Sequence, residues 1–217
     1  MRAGGQQLLF DTSTSLPNGF VYRPDFLTEE EEAELLEWFE HLPFEHGRLG
    51  EYVAKRRVIG FGWGFDFRKE RLVPGPPLPP MLVPLSRKVA KWLHVPAASV
   101  VEALITEYPK GAAIGWHRDN ESFEHIIGVS LSGWCRMRLR PFSWRDRSRQ
   151  EVIPLLLEPR SAYIMQKDAR WKFQHSVAAV ESLRYSITFR TLPATYQQRL
   201  PSGYPLPRPR SQVSRRR

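Results

Sequence analysis

The chain has 217 residues, 41% of them hydrophobic, which suits one folded domain with short extensions and excludes wholesale disorder. No apolar run approaches the roughly 20 residues that a membrane helix needs. Residues 1–15 lack the long apolar stretch of a secretory signal, and the single cysteine, Cys135, rules out an intrachain disulfide. A reducing compartment is therefore expected: the cytoplasm, or the nucleus in a eukaryote. The net charge is +9, and Arg208, Arg210, Arg215, Arg216 and Arg217 carry five of those charges. The body is thus mildly basic and residues 194–217 read as a basic, disordered tail. Such a balance favours polyanionic partners.

Residues 1–19 read as an irregular extension. Thr28-Glu29-Glu30-Glu31 has the form of a capping box, and Leu35, Trp38, Phe39 and Leu42 follow at helical spacing. The spacing predicts a helix over Glu29 to Leu42, ended by Pro43. The next stretch is aromatic and basic, then proline-rich from Pro74 to Pro80. A second helix is expected over Pro84 to Leu93.

From Val100 onward the pattern changes to short strands: Val100 to Tyr108, His125 to Leu131, Ser161 to Gln166, Phe173 to Val177 and Arg184 to Arg190. Between them Cys135, Met137 and Leu139 alternate with Arg136, Arg138 and Arg140, a strand with one wet face. Several short strands after two helices predict a mainly β (α+β) domain, a double-sheet jelly roll with helices outside. The expected organisation is residues 20–99 as a helical and substrate-recognition region and residues 100–193 as the jelly-roll core.

The sharpest local feature is His117-Arg118-Asp119, with His175 far downstream. In extended backbone, residues i and i+2 point the same way, so His117 and Asp119 can face one cavity. His175, in another β-like run, can complete a three-donor set. Two imidazoles and a carboxylate with open positions suit iron(II), and zinc uses the same donors. Arg184 and Arg190 are six apart and share a strand face with Ser186 and Thr188. Their planar forks suit a short dicarboxylate held between them.

These residues carry a resemblance. Leu104 to Gly111, Ile114 to Asp119, His175-Ser176 and Arg184 to Arg190 resemble, in order and spacing, the AlkB family of Fe(II)/2-oxoglutarate-dependent dioxygenases, over roughly Pro43 to Leu192. The resemblance implies a double-stranded β-helix with a substrate lid. It implies Fe(II) on His117, Asp119 and His175, with 2-oxoglutarate and O2 as cosubstrates. Arg184 would pair the distal carboxylate of 2-oxoglutarate, Tyr108 would hydrogen-bond it, and Arg190 would sit near its other end. Thr106 and Ser186 stand where the family's best-known form has asparagines, which shortens both groups.

The implied reaction is oxidative removal of N-alkyl groups from DNA or RNA bases such as 1-methyladenine or 3-methylcytosine, in alkylation repair. The base would be single-stranded or flipped, and the enzyme is expected to act as a monomer. The lid would lie between Lys55 and Arg71: Phe61, Trp63, Phe65 and Phe67, with Lys55, Arg56, Arg57, Arg68, Lys69 and Arg71 for the backbone. Trp63 is the first choice for stacking on the base, His175 the opposite wall, and Glu121 an acid for a cationic lesion. The alternative on the same fold is a protein-directed demethylase or hydroxylase.

Overall fold

A computed structural model describes residues 16–49, 51–66, 69–142 and 151–193. The expectations for the basic tail, for Phe67 and for Arg68 lie outside the described residues. In chain order the elements are β1 (Phe20–Arg23), α1 (Glu29–Phe39), β2 (Glu45–Leu49), β3 (Tyr52–Asp66) and β4 (Arg71–Pro74). Then come α2 (Val83–Leu93), β5 (Val100–Tyr108), β6 (Ile114–His117), β7 (Ile126–Leu131) and β8 (Cys135–Pro141). The last are β9 (Ile153–Leu157), β10 (Ala162–Met165), α3 (Lys167–Trp171), β11 (Phe173–Val177) and β12 (Arg184–Thr191).

The strands form two antiparallel sheets. The larger has the order β1-β10-β7-β12-β5-β3-β2, with β4 paired to β3, and the smaller has the order β6-β11-β8-β9. This is the expected jelly roll with helices outside. Residues 20–99 also supply strands β1 and β3 to the same sheet as the later strands.

Two apolar layers follow from the period-2 alternation. One lies between the larger sheet and the helices, where Leu35 and Phe39 of α1 and Leu85 and Val89 of α2 meet Ile105, Ile187 and Phe189. The other lies between the sheets, with Tyr108, Phe123, Met137, Leu139 and Met165. Polar residues on the inner faces of β5 and β12 therefore point between the sheets.

The capping box is present. Glu31 N–H donates to Thr28 Oγ1 at 3.1 Å, and Thr28 N–H donates to Glu31 Oε2 at 2.9 Å. The helix ends at Phe39, three residues earlier than predicted, because His41 N–H and Leu42 N–H turn back to Trp38 and Phe39 in tight i→i+3 bonds ahead of Pro43. In α2 the left-handed His94, at φ 58°, caps the helix. Gly62, at φ 83°, lies where a Cβ would strike the Val101 carbonyl, so β3 can bend against β5 only at a glycine.

Candidate metal and cosubstrate site

β6 and β11 are paired with His117 opposite His175, and their rings lie 4.2 Å apart. Asp119 follows two residues after His117. One donor atom from each of His117, Asp119 and His175 falls within 4.8 Å of the others. His117 Nδ1 lies 2.9 Å from the Gly115 carbonyl, which can only accept. That bond puts the proton on Nδ1 and leaves the Nε2 lone pair available.

Asp119 is divided between two tasks. Its Oδ1 accepts from Arg190 Nη2 at 2.7 Å and Nε at 3.2 Å. Its Oδ2 is buried without a partner and lies 3.5 Å from His175 Nε2. His175 Nδ1 is likewise buried and unpartnered. Buried polar atoms are rarely left unsatisfied, and a cation held between Asp119 Oδ2 and the facing His175 Nε2 would complete the carboxylate orphan.

The electrostatics favour the metal-ready ionisation states. Burial alone would push Asp119 upward, but Arg190 and the two histidines hold its carboxyl well below the usual range. Burial, aided by His117, depresses His175 from 6.5 to about 3, so it is a neutral donor at pH 7. The unfolded imidazole binds its proton near 6.5. The unfolded chain therefore carries the excess protons between about pH 6.5 and 3, and this contribution to stability falls as pH drops through that window. Asp119 acts in the same direction below its ordinary 3.8, while Glu102, raised by burial, opposes it. The metal-free thermal midpoint should therefore fall from pH 7 to pH 4, and more steeply in wild type than in His175→Gln. Equal slopes in the two proteins would contradict the assignment.

On the inner face of β12, turned between the sheets as Arg190 is, lies a cation with no carboxylate partner among the described residues. Arg184 is 2% exposed. Its Nε donates to Ser130 Oγ at 3.2 Å, its guanidinium carbon lies 4.9 Å from the centre of the Tyr108 ring, and its Nη1 has no partner. Thr106 and Ser186 are paired in register, both buried, on the same inner face as Tyr108 and Arg184. A buried guanidinium with an N–H that has no acceptor among the described residues fits a carboxylate ligand.

The sequence puts Arg190 near the other end of the cosubstrate. In the structure its donors are taken: Nε and Nη2 by Asp119, and Nη1 by Glu102 at 2.8 Å. Glu102 went unread although it lies six residues before Tyr108, on the same strand face.

Arg170 and Tyr163 were also missed. Arg170 is 1% exposed and its Nη2 donates to the carbonyls of Asn120 and Phe123 at 2.7 and 2.8 Å. It thereby pins the loop that follows Asp119. Arg170→Met leaves two carbonyls unsatisfied and should cost about 2–4 kcal/mol in urea unfolding. A loss under about 0.5 kcal/mol would sink that role. Tyr163 packs its ring against Gly128, where only a glycine leaves room. Burial, then Asp119, push its hydroxyl pKa upward.

The lid residues separate. Phe61 sits in the layer under the helices, its ring 6.3 Å from Trp38, and is unsuited to meet a base. Arg57 lies on that same side, in a two-bond pair with Glu107 at 2.8 and 2.7 Å. Trp63 is 8% exposed and, with the half-buried Phe65, belongs to the layer that holds Tyr108 and Phe123. Arg56 is half-buried, and Lys55 and Arg71 are exposed. Lys69 pairs with Asp66 at 3.3 Å. Glu121 is exposed and bonded to Arg118 at 3.2 Å, not turned into the metal cluster.

Two imidazoles and a carboxylate inside a jelly roll, with a buried arginine on the inner face that has no carboxylate partner among the described residues, fit a mononuclear metal-dependent oxygenase. Residues 19–190 match the 2OG-Fe(II) oxygenase superfamily, and the chain belongs to it. It is therefore a dioxygenase of a family that uses Fe(II), 2-oxoglutarate and O2.

Among its relatives is an uncharacterised protein of Acanthamoeba polyphaga mimivirus, 23% identical over 81% of this chain and 85% of that protein. Another is the Xenopus tropicalis tRNA (carboxymethyluridine(34)-5-O)-methyltransferase alkbh8, 28% identical over 76% of this chain. The match spans only 26% of that longer protein. Similar solved folds include OsALKBH1, with TM-score 0.60 and 16% identity over 82% of this chain and 100% of that one. A Trichoplax adhaerens prolyl hydroxylase in complex with a hypoxia inducible factor peptide has TM-score 0.59 and 16% identity, over 86% and 88%. The AlkB-like resemblance of the sequence agrees with the first of these folds. No helix among the described residues is long and apolar enough to cross a membrane.

Proposed function

We propose that this oxygenase removes N-alkyl groups from the bases of DNA or RNA, as in the repair of 1-methyladenine or 3-methylcytosine. His117, Asp119 and His175 hold the iron, and Arg184 holds the far carboxylate of 2-oxoglutarate, with Tyr108, Thr106 and Ser186 around it. Bound iron, 2-oxoglutarate and O2 supply the oxidation of the N-alkyl carbon, and the hydroxylated product then releases an aldehyde. The chain's own part is to keep His175 neutral, to leave Asp119 Oδ2 free, and to exclude water behind Tyr108, Phe123 and Met165.

The observation that carries the substrate reading is the β3–β4 hairpin. It brings Trp63 and Phe65 into the apolar layer of the site while Arg71, paired opposite Asp66, stays exposed, with Lys55 exposed further back on β3. Aromatic faces for a base and cations for phosphate are what an unstacked nucleotide requires. The net charge of +9 and the tRNA-directed name of one relative support the same reading. The prolyl hydroxylase fold keeps a protein substrate as the second reading.

The test is succinate formation by the iron-loaded enzyme with methylated oligonucleotides and, separately, with methylated or proline-containing peptides. Stimulation by 1-methyladenine or 3-methylcytosine oligonucleotides is expected. Stimulation by peptides alone would overturn the reading.

A further inference from the structure

The outer face of the smaller sheet carries a group of side chains that the oxidation does not use. β8 turns Cys135, Met137 and Leu139 inward, each 1% exposed or less, and leaves Arg136, Arg138 and Arg140 outward. β11 lies between β8 and the edge strand β6, with Ser176 beside Arg138 and Gln174 beside Arg140. Both arginines lean across it. Arg138 Nε donates to Ser176 Oγ at 3.0 Å, and Arg140 Nε and Nη2 donate to Gln174 Oε1 at 3.0 and 2.9 Å. Their guanidinium carbons then lie 5.2 and 4.2 Å from the centre of the Trp116 ring on β6. At the rim, next to His117, Arg118 stacks over Phe142 at 4.1 Å.

None of Arg136, Arg138 and Arg140 takes part in an ion pair among the described residues. Among the described residues the one carboxylate paired with Arg118 is Glu121, whose side chain is 75% exposed, and its Nη1 also donates to the Trp171 carbonyl at 3.4 Å. The Nη atoms of Arg138 and Nη1 of Arg140 have no protein acceptor among the described residues. Three like charges along one strand face repel each other, so the arrangement gains from an anion that spans them. Contact with Trp116 and the bonds to Ser176 and Gln174 order two guanidiniums while leaving N–H groups on both without an acceptor among the described residues, and such planar forks suit phosphate in bidentate fashion. Outward positions on a strand repeat roughly every 6.6 Å, so the charges line up as a track. The track ends at the residue between two of the metal-ready side chains.

We propose that this face, Arg136, Arg138 and Arg140 ordered by Trp116 and continued by Arg118, binds the sugar-phosphate backbone of single-stranded nucleic acid. The proposal rests on the nucleic-acid reading above and deepens it. A flexible strand can run along the track and turn at the β6 edge toward the buried metal atoms, which a stacked duplex cannot do.

The test is fluorescence anisotropy with a labelled, unmodified oligothymidylate at several salt concentrations, which needs neither iron nor turnover. Arg138→Gln/Arg140→Gln should weaken binding tenfold or more. It should also flatten the slope of log affinity against log salt by about 1.4, at about 0.7 per lost phosphate contact on a single strand. Arg136→Gln, at an exposed position whose side chain has no partner among the described residues, should flatten it by about 0.7 without disturbing the fold. Arg138→Lys/Arg140→Lys should restore the slope and only part of the affinity.

Wild-type affinity and slope in a double glutamine variant with an unchanged thermal midpoint would overturn the proposal. So would tighter wild-type binding of an acidic peptide than of the oligonucleotide. If that variant binds normally while wild type demethylates nucleic acid, the surface falls and the catalytic reading stands. If wild type binds through this face yet oxidises no nucleic acid, the surface stands and the substrate reading falls.

Discussion

Arg190→Met should destabilise the fold by about 3–5 kcal/mol at neutral pH, the cost of removing one partner from a buried ionic cluster. Arg190 stands between Asp119 and Glu102, whose side chains are 6% and 9% exposed, and bonds to both. Methionine fills most of the volume but leaves two carboxylates facing each other in a poorly solvated space. Those carboxylates would have to take up protons or admit water. Urea unfolding checks the size of the effect, and a loss below about 1 kcal/mol would contradict the clamp. Adding Glu102→Gln should recover part of the loss, because one of the two stranded charges is then gone.

Asp119→Ala should reduce turnover to below about one hundredth of wild type, beyond the 10–100-fold that a supporting residue near a metal costs. The alanine variant also frees Arg190, so Asp119→Asn is the sharper substitution. An amide oxygen can still accept the Arg190 bonds at the Oδ1 position, which preserves the fold. It offers no negative charge at the Oδ2 position, where the buried orphan lies. Steady-state succinate formation measures this. Near-normal turnover in Asp119→Asn would refute the metal assignment.

Much of the site was legible because strand periodicity is simple. An offset of two placed His117 and Asp119 together, and an offset of six placed Arg184 and Arg190 on the inner face of β12. The capping box at Thr28 and the alternation in β8 were equally local signals. What stayed hidden depended on partners far away in the chain. Nothing near Arg170 in sequence tells that it reaches back to the carbonyls of Asn120 and Phe123. Arg190 looked like a cosubstrate ligand because its carboxylate partners lie 71 and 88 residues earlier.

The long strand β3 was read as an aromatic, basic stretch without an element, since Gly60, Gly62 and Gly64 break its propensity. Pairing with β5 forms it regardless. Phe61 and Trp63 are two apart, and parity alone puts them on one face. The bend at Gly62 sends them to different layers.

Anaerobic titration with Fe(II) and then with 2-oxoglutarate, followed by calorimetry, probes the assembly of the site without substrate. Wild type should take one Fe(II) per chain and then one 2-oxoglutarate. Asp119→Asn should lose the first event, whereas Arg184→Met should keep it and lose the second. Undiminished iron uptake by Asp119→Asn, or undiminished 2-oxoglutarate uptake by Arg184→Met, would contradict the account.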